Sequence, residues 1–219
     1  MANNKKQADA TVQNVDEALS KSEQFVEKNK NIITWCLVGI IVLVAAVWGW
    51  NAYSNKQNQK AQEEIWSAQF LFENGDYEQA LEAFEAVIDE YGSTKTGNLA
   101  KVYAGLCNKE LGNYEEAIAL LRKYSGNDAV VAPAVTAAIG DCMVNGENPD
   151  YKEAARNFEA AAKASNTANY SPLYLKKAGL AYEKAGDNAS ALKVYQSIKD
   201  NWRETVIGQN IDKYIVRVQ

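Results

Sequence analysis

The carboxylates and thiols in this sequence that could do acid–base or covalent chemistry are 28 Asp and Glu and three Cys, and no histidine accompanies them. Without an imidazole there is no Ser-His-Asp or Cys-His arrangement, no His general base and no His-containing zinc site. Cys36, Cys107 and Cys142 are too scattered for a C-x-x-C pair or a disulfide framework. Each reads as a buried, apolar-like thiol, Cys36 within an uncharged stretch. A Cys107–Cys142 bridge stays open if that part of the chain lies in an oxidising compartment. The sequence has no Walker loop, no Gly-rich dinucleotide turn and no calcium loop. Its carboxylates are distributed as solubilising groups are, so no catalytic residue, metal, cofactor or small-molecule substrate is expected, and the chain is not expected to be an enzyme. Asn169-Tyr170-Ser171 and Asn188-Ala189-Ser190 match a glycosylation pattern, but the pattern is short and no role is expected of it. The net charge of −5 argues against nucleic acid as a partner, because phosphate binding needs a basic face.

The elements that would position these residues begin with Ile32–Trp50, an uncharged stretch in which ten residues are Ile, Leu or Val. A helix of that length reaches about 28 Å at about 1.5 Å per residue, close to the hydrocarbon thickness of a bilayer. Trp35 near one end, and Trp48, Trp50 and Tyr53 at the other, suit the two lipid–water interfaces. The apolar run begins too far into the chain, and is followed by residues too bulky, for a cleaved signal. Residues 32–50 are therefore expected to be a transmembrane helix. Residues 1–31 form a neutral polar head, expected to be disordered over 1–14. A weak helix from Asp16 to Lys30 carries Leu19, Phe25 and Val26. Residues 51–61 are expected to be a linker. Lys21, Lys28 and Lys30 lie within 20 residues of the span on the head side, against Lys56 and Lys60 on the other. The positive-inside bias then favours a cytoplasmic head and the larger part outside.

From residue 62 to 219 the sequence repeats every 37 residues. Tyr77, Tyr114, Tyr151 and Asn188 keep this interval, as do Ala80, Ala117, Ala154 and Ala191, and Phe84, Leu121, Phe158 and Tyr195. Upstream, Ala68, Gly105, Cys142 and Gly179 share it. Within a unit the apolar residues recur at helical spacing on both sides of a Gly-containing turn, which predicts a two-helix unit. Small residues let the paired helices approach, and the aromatics fill the space beside them. Gly75 and Gly112 suit helix ends that need positive φ. The third unit differs, with Gly146 five residues before Tyr151 and Pro149 between them, so its turn is expected to be longer. After Trp202, the residues Ile207, Ile211, Tyr214, Ile215 and Val218 predict a helix that caps the last unit.

The run Gly105…Gly112-Asn113-Tyr114…Ala117, and Gly179…Tyr182…Gly186…Ala191…Tyr195, resembles the tetratricopeptide repeat. That resemblance implies an α-solenoid of four repeats, which with the transmembrane helix before it and the capping helix after it makes the chain all-α. The residues beyond the usual repeat length are placed in the connections 92–98, 125–129 and 165–171. Pro133 and Pro172 fit the first turns of the helices that follow. The family's inward positions map onto Ile65, Gln69, Phe72, Val102, Leu106, Lys109, Ile139, Met143, Lys176, Leu180 and Glu183. This set is either a groove for an extended or helical partner segment, or a surface filled by neighbouring helices. Some family members clamp C-terminal carboxylates with Lys and Asn; Ile65 and Gln69 occupy the first clamp positions here, so that activity is not expected.

Charge divides along the repeats. Between Lys60 and Lys95 there are nine acidic residues and no basic one, whereas Tyr174–Glu204 holds six Lys or Arg against four acids. Such a run is a solvated face, or else steers a basic partner. The layout of neutral head, single span leaving through Gly49-Trp50-Asn51-Ala52-Tyr53-Ser54, and helical repeats resembles the ancillary (YfgM-like) subunits of the bacterial SecYEG translocon. That resemblance implies a bacterial inner-membrane protein with a periplasmic repeat domain. It would be a protein-interaction module assisting secretion or envelope-protein folding. The partners implied are translocon subunits, a membrane-anchored periplasmic chaperone or client segments. The alternative is a cytoplasm-facing scaffold for signalling or complex assembly.

Overall fold

In the computed structural model the side chains are described for residues 25–219, and among these residues all regular structure is helical. The expectations for residues 1–14 and for Leu19 lie outside them. The chain divides into two compact units, Met1–Ser54 and Asn55–Gln219.

The described part of the first unit belongs to α1 (Ala2–Asn74). By length and composition, the stretch of α1 from Phe25 onward is long and apolar enough to cross a membrane, and none of its most apolar window is buried. Trp35, Leu43, Trp48 and Trp50 are all exposed.

The second unit is built from helix pairs. The C-terminal part of α1 pairs with α2 (Tyr77–Tyr91) through Ile65 and Ala68 against Ala80 and Phe84. Likewise α3 (Lys95–Glu110) pairs with α4 (Tyr114–Leu121), α5 (Val131–Asn145) with α6 (Tyr151–Ser165), and α7 (Ser171–Lys184) with α8 (Asn188–Asn201). Two short helices follow, α9 (Val206–Gln209) and α10 (Asp212–Val218). The domain starts earlier than residue 62. Ala61 is fully buried, and Asn58 Oδ1 accepts the Thr96 amide at 2.8 Å, so the segment read as a linker is helical and its end belongs to the first repeat.

The 37-residue interval holds throughout the second helices. Ala80, Ala117, Ala154 and Ala191 are fully buried, and Phe84, Leu121, Phe158 and Tyr195 are at most 2 % exposed. Tyr77, Tyr114, Tyr151 and Asn188 each begin one of these helices. Three of the four turns within pairs use a glycine at positive φ (Gly75, Gly112 and Gly186), where a Cβ would be strained. The third turn is the exception, with Gly146 extended at φ −63°.

The first helix of the third pair does not keep the interval. In the second and fourth pairs, the glycine that admits the partner helix is Gly105 beneath Leu121 and Gly179 beneath Tyr195. In the third it is Gly140 beneath Phe158, with the Ala154 carbonyl beside it, not Cys142. The longer turn has moved the register of α5 by two residues. Cys142 is buried in the cluster between α3, α4 and α5 instead. Cys107 and Cys142 are free thiols, with no bridge between them.

Connections between pairs are closed by local caps. Thr94 Oγ1 accepts the Gly97 amide ahead of α3, so the segment 92–98 is mostly helix rather than loop. Asp128 Oδ1 accepts the amides of Val130 and Val131 at the start of α5. The segment expected to form one capping helix is broken into α9 and α10. Ile211, Ile215 and Val218 are buried there against Tyr195 and Ile198 of α8.

Candidate functional site

The two-residue shift in α5 decides which side chains reach the inner face of the stack. Ile139 is 9 % exposed and belongs to the core between α3, α4 and α5. Met143 lies against Asn157 of α6, and lines a hollow of about 400 Å³ on the turn side with Tyr114, Gly146 and Asp150. The positions in register with Leu106 and Leu180 are Asp141 and, one turn on, Val144.

These two residues open onto a groove of about 430 Å³ lined by Asp141 and Val144 of α5, Phe158 of α6, Lys177, Leu180, Ala181, Glu183 and Lys184 of α7, and Arg217 of α10. Its floor is apolar, and each charged side chain on its rim has a structural partner. Lys177 Nζ donates to both carboxylate oxygens of Asp141 at 2.8 Å, tying the third repeat to the fourth. The pair is about one-third exposed, so solvent screening holds its contribution to roughly 0–1 kcal/mol. Lys177 also lies 5.5 Å from the Phe158 ring centre, and Lys184 5.3 Å from that of Tyr151.

Glu183 forms the other wall. Its Oε1 accepts from the hydroxyl of Tyr195 on α8 and, at 2.6 Å, from the guanidinium of Arg217 on α10. Burial, and then this bond to Glu183, raise the Tyr195 hydroxyl well above the ordinary tyrosine range. Three elements therefore meet at one carboxylate, and α10 edges the groove with Arg217 while its apolar residues lie on α8.

Of the eleven inward positions expected from the repeat, only Leu180 and Glu183 line this groove. Ile65 and Val102 are buried, and Leu106 packs on the core. Phe72 meets Tyr77 and Tyr103 edge-on, each at 5.5 Å. Lys109 pairs with Glu110. Lys176 sits 5.0 Å from the Tyr214 ring, where its hydrogen bond lowers the pKa of that hydroxyl. Gln69 is half-buried at the first pair. Asp141, Val144, Lys177 and Lys184 were not expected. The signal for the first two was the Pro149-containing turn, which lengthens the third unit at the expense of the strict interval.

Among the described residues no group of His, Cys, Asp and Glu could hold a metal ion.

A family model for a tetratricopeptide repeat-like domain matches residues 23–213. Among solved structures, the kinesin light chain nearly identical TPR-like repeats of Podosopora anserina superpose with a TM-score of 0.59 at 13 % identity, covering 74 % of this chain and 86 % of that one. A point variant of the same repeats gives 0.58 at 14 % identity, over 74 % and 85 %. At such identities the likeness is one of fold. No curated protein matches the sequence.

Proposed function

This chain belongs to the tetratricopeptide repeat-like domain family, and we propose that it works as a membrane-anchored protein-interaction module. A repeat fold of this kind is in general a non-enzymatic scaffold for protein partners. The observation that carries the reading is the groove between α5 and α7. It has an apolar floor at Val144, Leu180 and Phe158, and a rim of charges held in place by Asp141–Lys177 and Glu183–Arg217. Such a surface suits a partner segment that inserts an apolar side chain and aligns polar groups along the rim.

The anchor is α1 between Ile32 and Trp50, whose apolar side chains are left uncovered among the described residues. The lysine bias favours the repeats on the outer side of a bacterial inner membrane. The layout supports a role beside the Sec translocon with a membrane-anchored chaperone, assisting secreted or envelope proteins. A cytoplasm-facing scaffold is the competing reading. Alkaline phosphatase fused after Gln219 separates the two. Activity is expected if the repeats lie outside, whereas an inactive fusion with fluorescence from a cytoplasmic reporter overturns that location. For the groove, V144E/L180E is expected to abolish co-purification of translocon or chaperone subunits from detergent extracts. Recovery of cytosolic partners alone would overturn the secretion role.

A further inference from the structure

Each repeat after the first buries one face of its leading helix against the repeat before it. On α3 that face is Ala100, Tyr103 and Cys107, with the Tyr103 ring stacked on Phe84 of α2 at 5.0 Å. On α5 it is Val135, Ala138 and Cys142, packed on Ala117 and Leu121 of α4. On α7 it is Tyr174 and Ala181, in one cluster with Phe158 and Ala162 of α6. The same positions on α1, 37 residues before those on α3, are Glu63, Trp66 and Phe70. Among the described residues no helix pair covers them, and Trp66 and Phe70 are 71 % and 64 % exposed. The opposite end of the stack is closed by α9 and α10.

We propose that this uncovered edge, centred on Trp66 and Phe70, docks an amphipathic helix of a partner protein whose apolar face is flanked by Lys or Arg. A helix is the occupant because every equivalent face in the following repeats receives one: α2, α4 and α6 in turn. The basic flanks follow from charge. All nine acidic residues between Lys60 and Lys95 are exposed, and among the described residues none of them is in an ion pair. Glu63 and Glu73 lie three residues either side of the two aromatics, on the same face of α1. A second copy meeting this edge with its own would bring like charges together, and an anionic lipid surface is repelled in the same way. A basic helix gains both the aromatic contact and the charge complementarity. This surface is separate from the groove at Leu180 and lies at the other end of the repeats.

The test uses the full chain in neutral detergent micelles and two labelled helical peptides. Both carry Leu at i, i+3, i+4 and i+7; one is flanked by Lys and its twin by Glu. Fluorescence anisotropy is expected to show the Lys-flanked peptide binding at least tenfold tighter than its twin, and weakening as salt is raised. W66A/F70A should weaken that binding at least tenfold with an unchanged thermal midpoint, since both side chains are exposed. E63K/E73K should narrow the preference between the peptides, and L180E should leave it alone. The proposal is overturned by equal binding of the twins, by unchanged binding to W66A/F70A, or by loss of binding in L180E. It is also overturned if sedimentation shows a dimer of the wild-type chain that W66A/F70A converts to monomer, because a second copy would then cover the edge.

Discussion

Gly140 lies beneath the ring of Phe158: a Cβ added to Gly140 would stand 2.9 Å from Phe158 Cε1 and 3.2 Å from the Ala154 carbonyl oxygen. This contact, rather than one at Cys142, fixes the register of α5. The register in turn brings Asp141 and Val144 into the groove and leaves Ile139 in the core.

Substitution separates the two registers. G140A is expected to destabilise the repeat domain by about 1–3 kcal/mol, because the added methyl would crowd both the buried Phe158 ring and the Ala154 backbone carbonyl. C142A should cost less, since it removes one small buried group and forces nothing apart. The thermal midpoint followed by circular dichroism checks this, and a larger loss for C142A than for G140A would refute the shifted register.

Glu183 holds a buried hydroxyl as well as a surface guanidinium. E183A leaves the Tyr195 hydroxyl without its acceptor and is expected to cost about 1–3 kcal/mol. Adding Y195F to E183A should recover part of that loss, because the orphaned polar group is then gone. If the double variant is no more stable than E183A, the hydroxyl is not what the carboxylate satisfies.

The folded domain should lose stability at high pH. Tyr195 is raised in the fold above its ordinary value, so its contribution is fully present below about pH 10 and is lost as pH rises beyond it. Y195F should flatten this alkaline fall, measured as thermal midpoint against pH.

At low pH the sign is opposite. Amide hydrogen bonds to the caps Asp128 and Asp187 hold both carboxyls below their usual range. Their stabilisation is present above about pH 4 and is lost as pH falls below it. D187N, which keeps a capping oxygen that does not titrate, should be less sensitive to acid than the parent chain over that window.

Cysteine reactivity should divide the three thiols. Burial pushes Cys107 and Cys142 up to about 11, whereas Cys36 is exposed on α1. In neutral detergent micelles at pH 8, a short iodoacetamide pulse should leave Cys107 and Cys142 unmodified, and denaturation should release both. Labelling of Cys142 in the native chain would contradict its packing.

Much of this fold was legible in the sequence because its signals are local and periodic. The second-helix positions Ala80 to Ala191 and Phe84 to Tyr195 kept the 37-residue interval and are the buried set. Gly75 and Gly112 were legible from the backbone conformation they must adopt, and Gly186 proves to share it. A fixed interval, however, cannot show where inside a unit two residues have been moved from one element to another. The longer turn before Tyr151 was visible, but its consequence for α5 was not, because Gly140 and Cys142 are both small enough to face a neighbouring helix.

The sequence by itself determined that the chain is helical, that it repeats in paired helices, and that it carries one long apolar stretch near its N-terminus. Each follows from composition and spacing along a single strand of chain. Only the tertiary structure decided which inward positions are core and which are groove. That depends on how far each helix pair is displaced against the next, and on where α10 lays its apolar face. It also decided that Trp66 and Phe70 are uncovered. Their spacing on α1 matches that of Tyr103 and Cys107 on α3, and what differs is that, among the described residues, no helix packs against them.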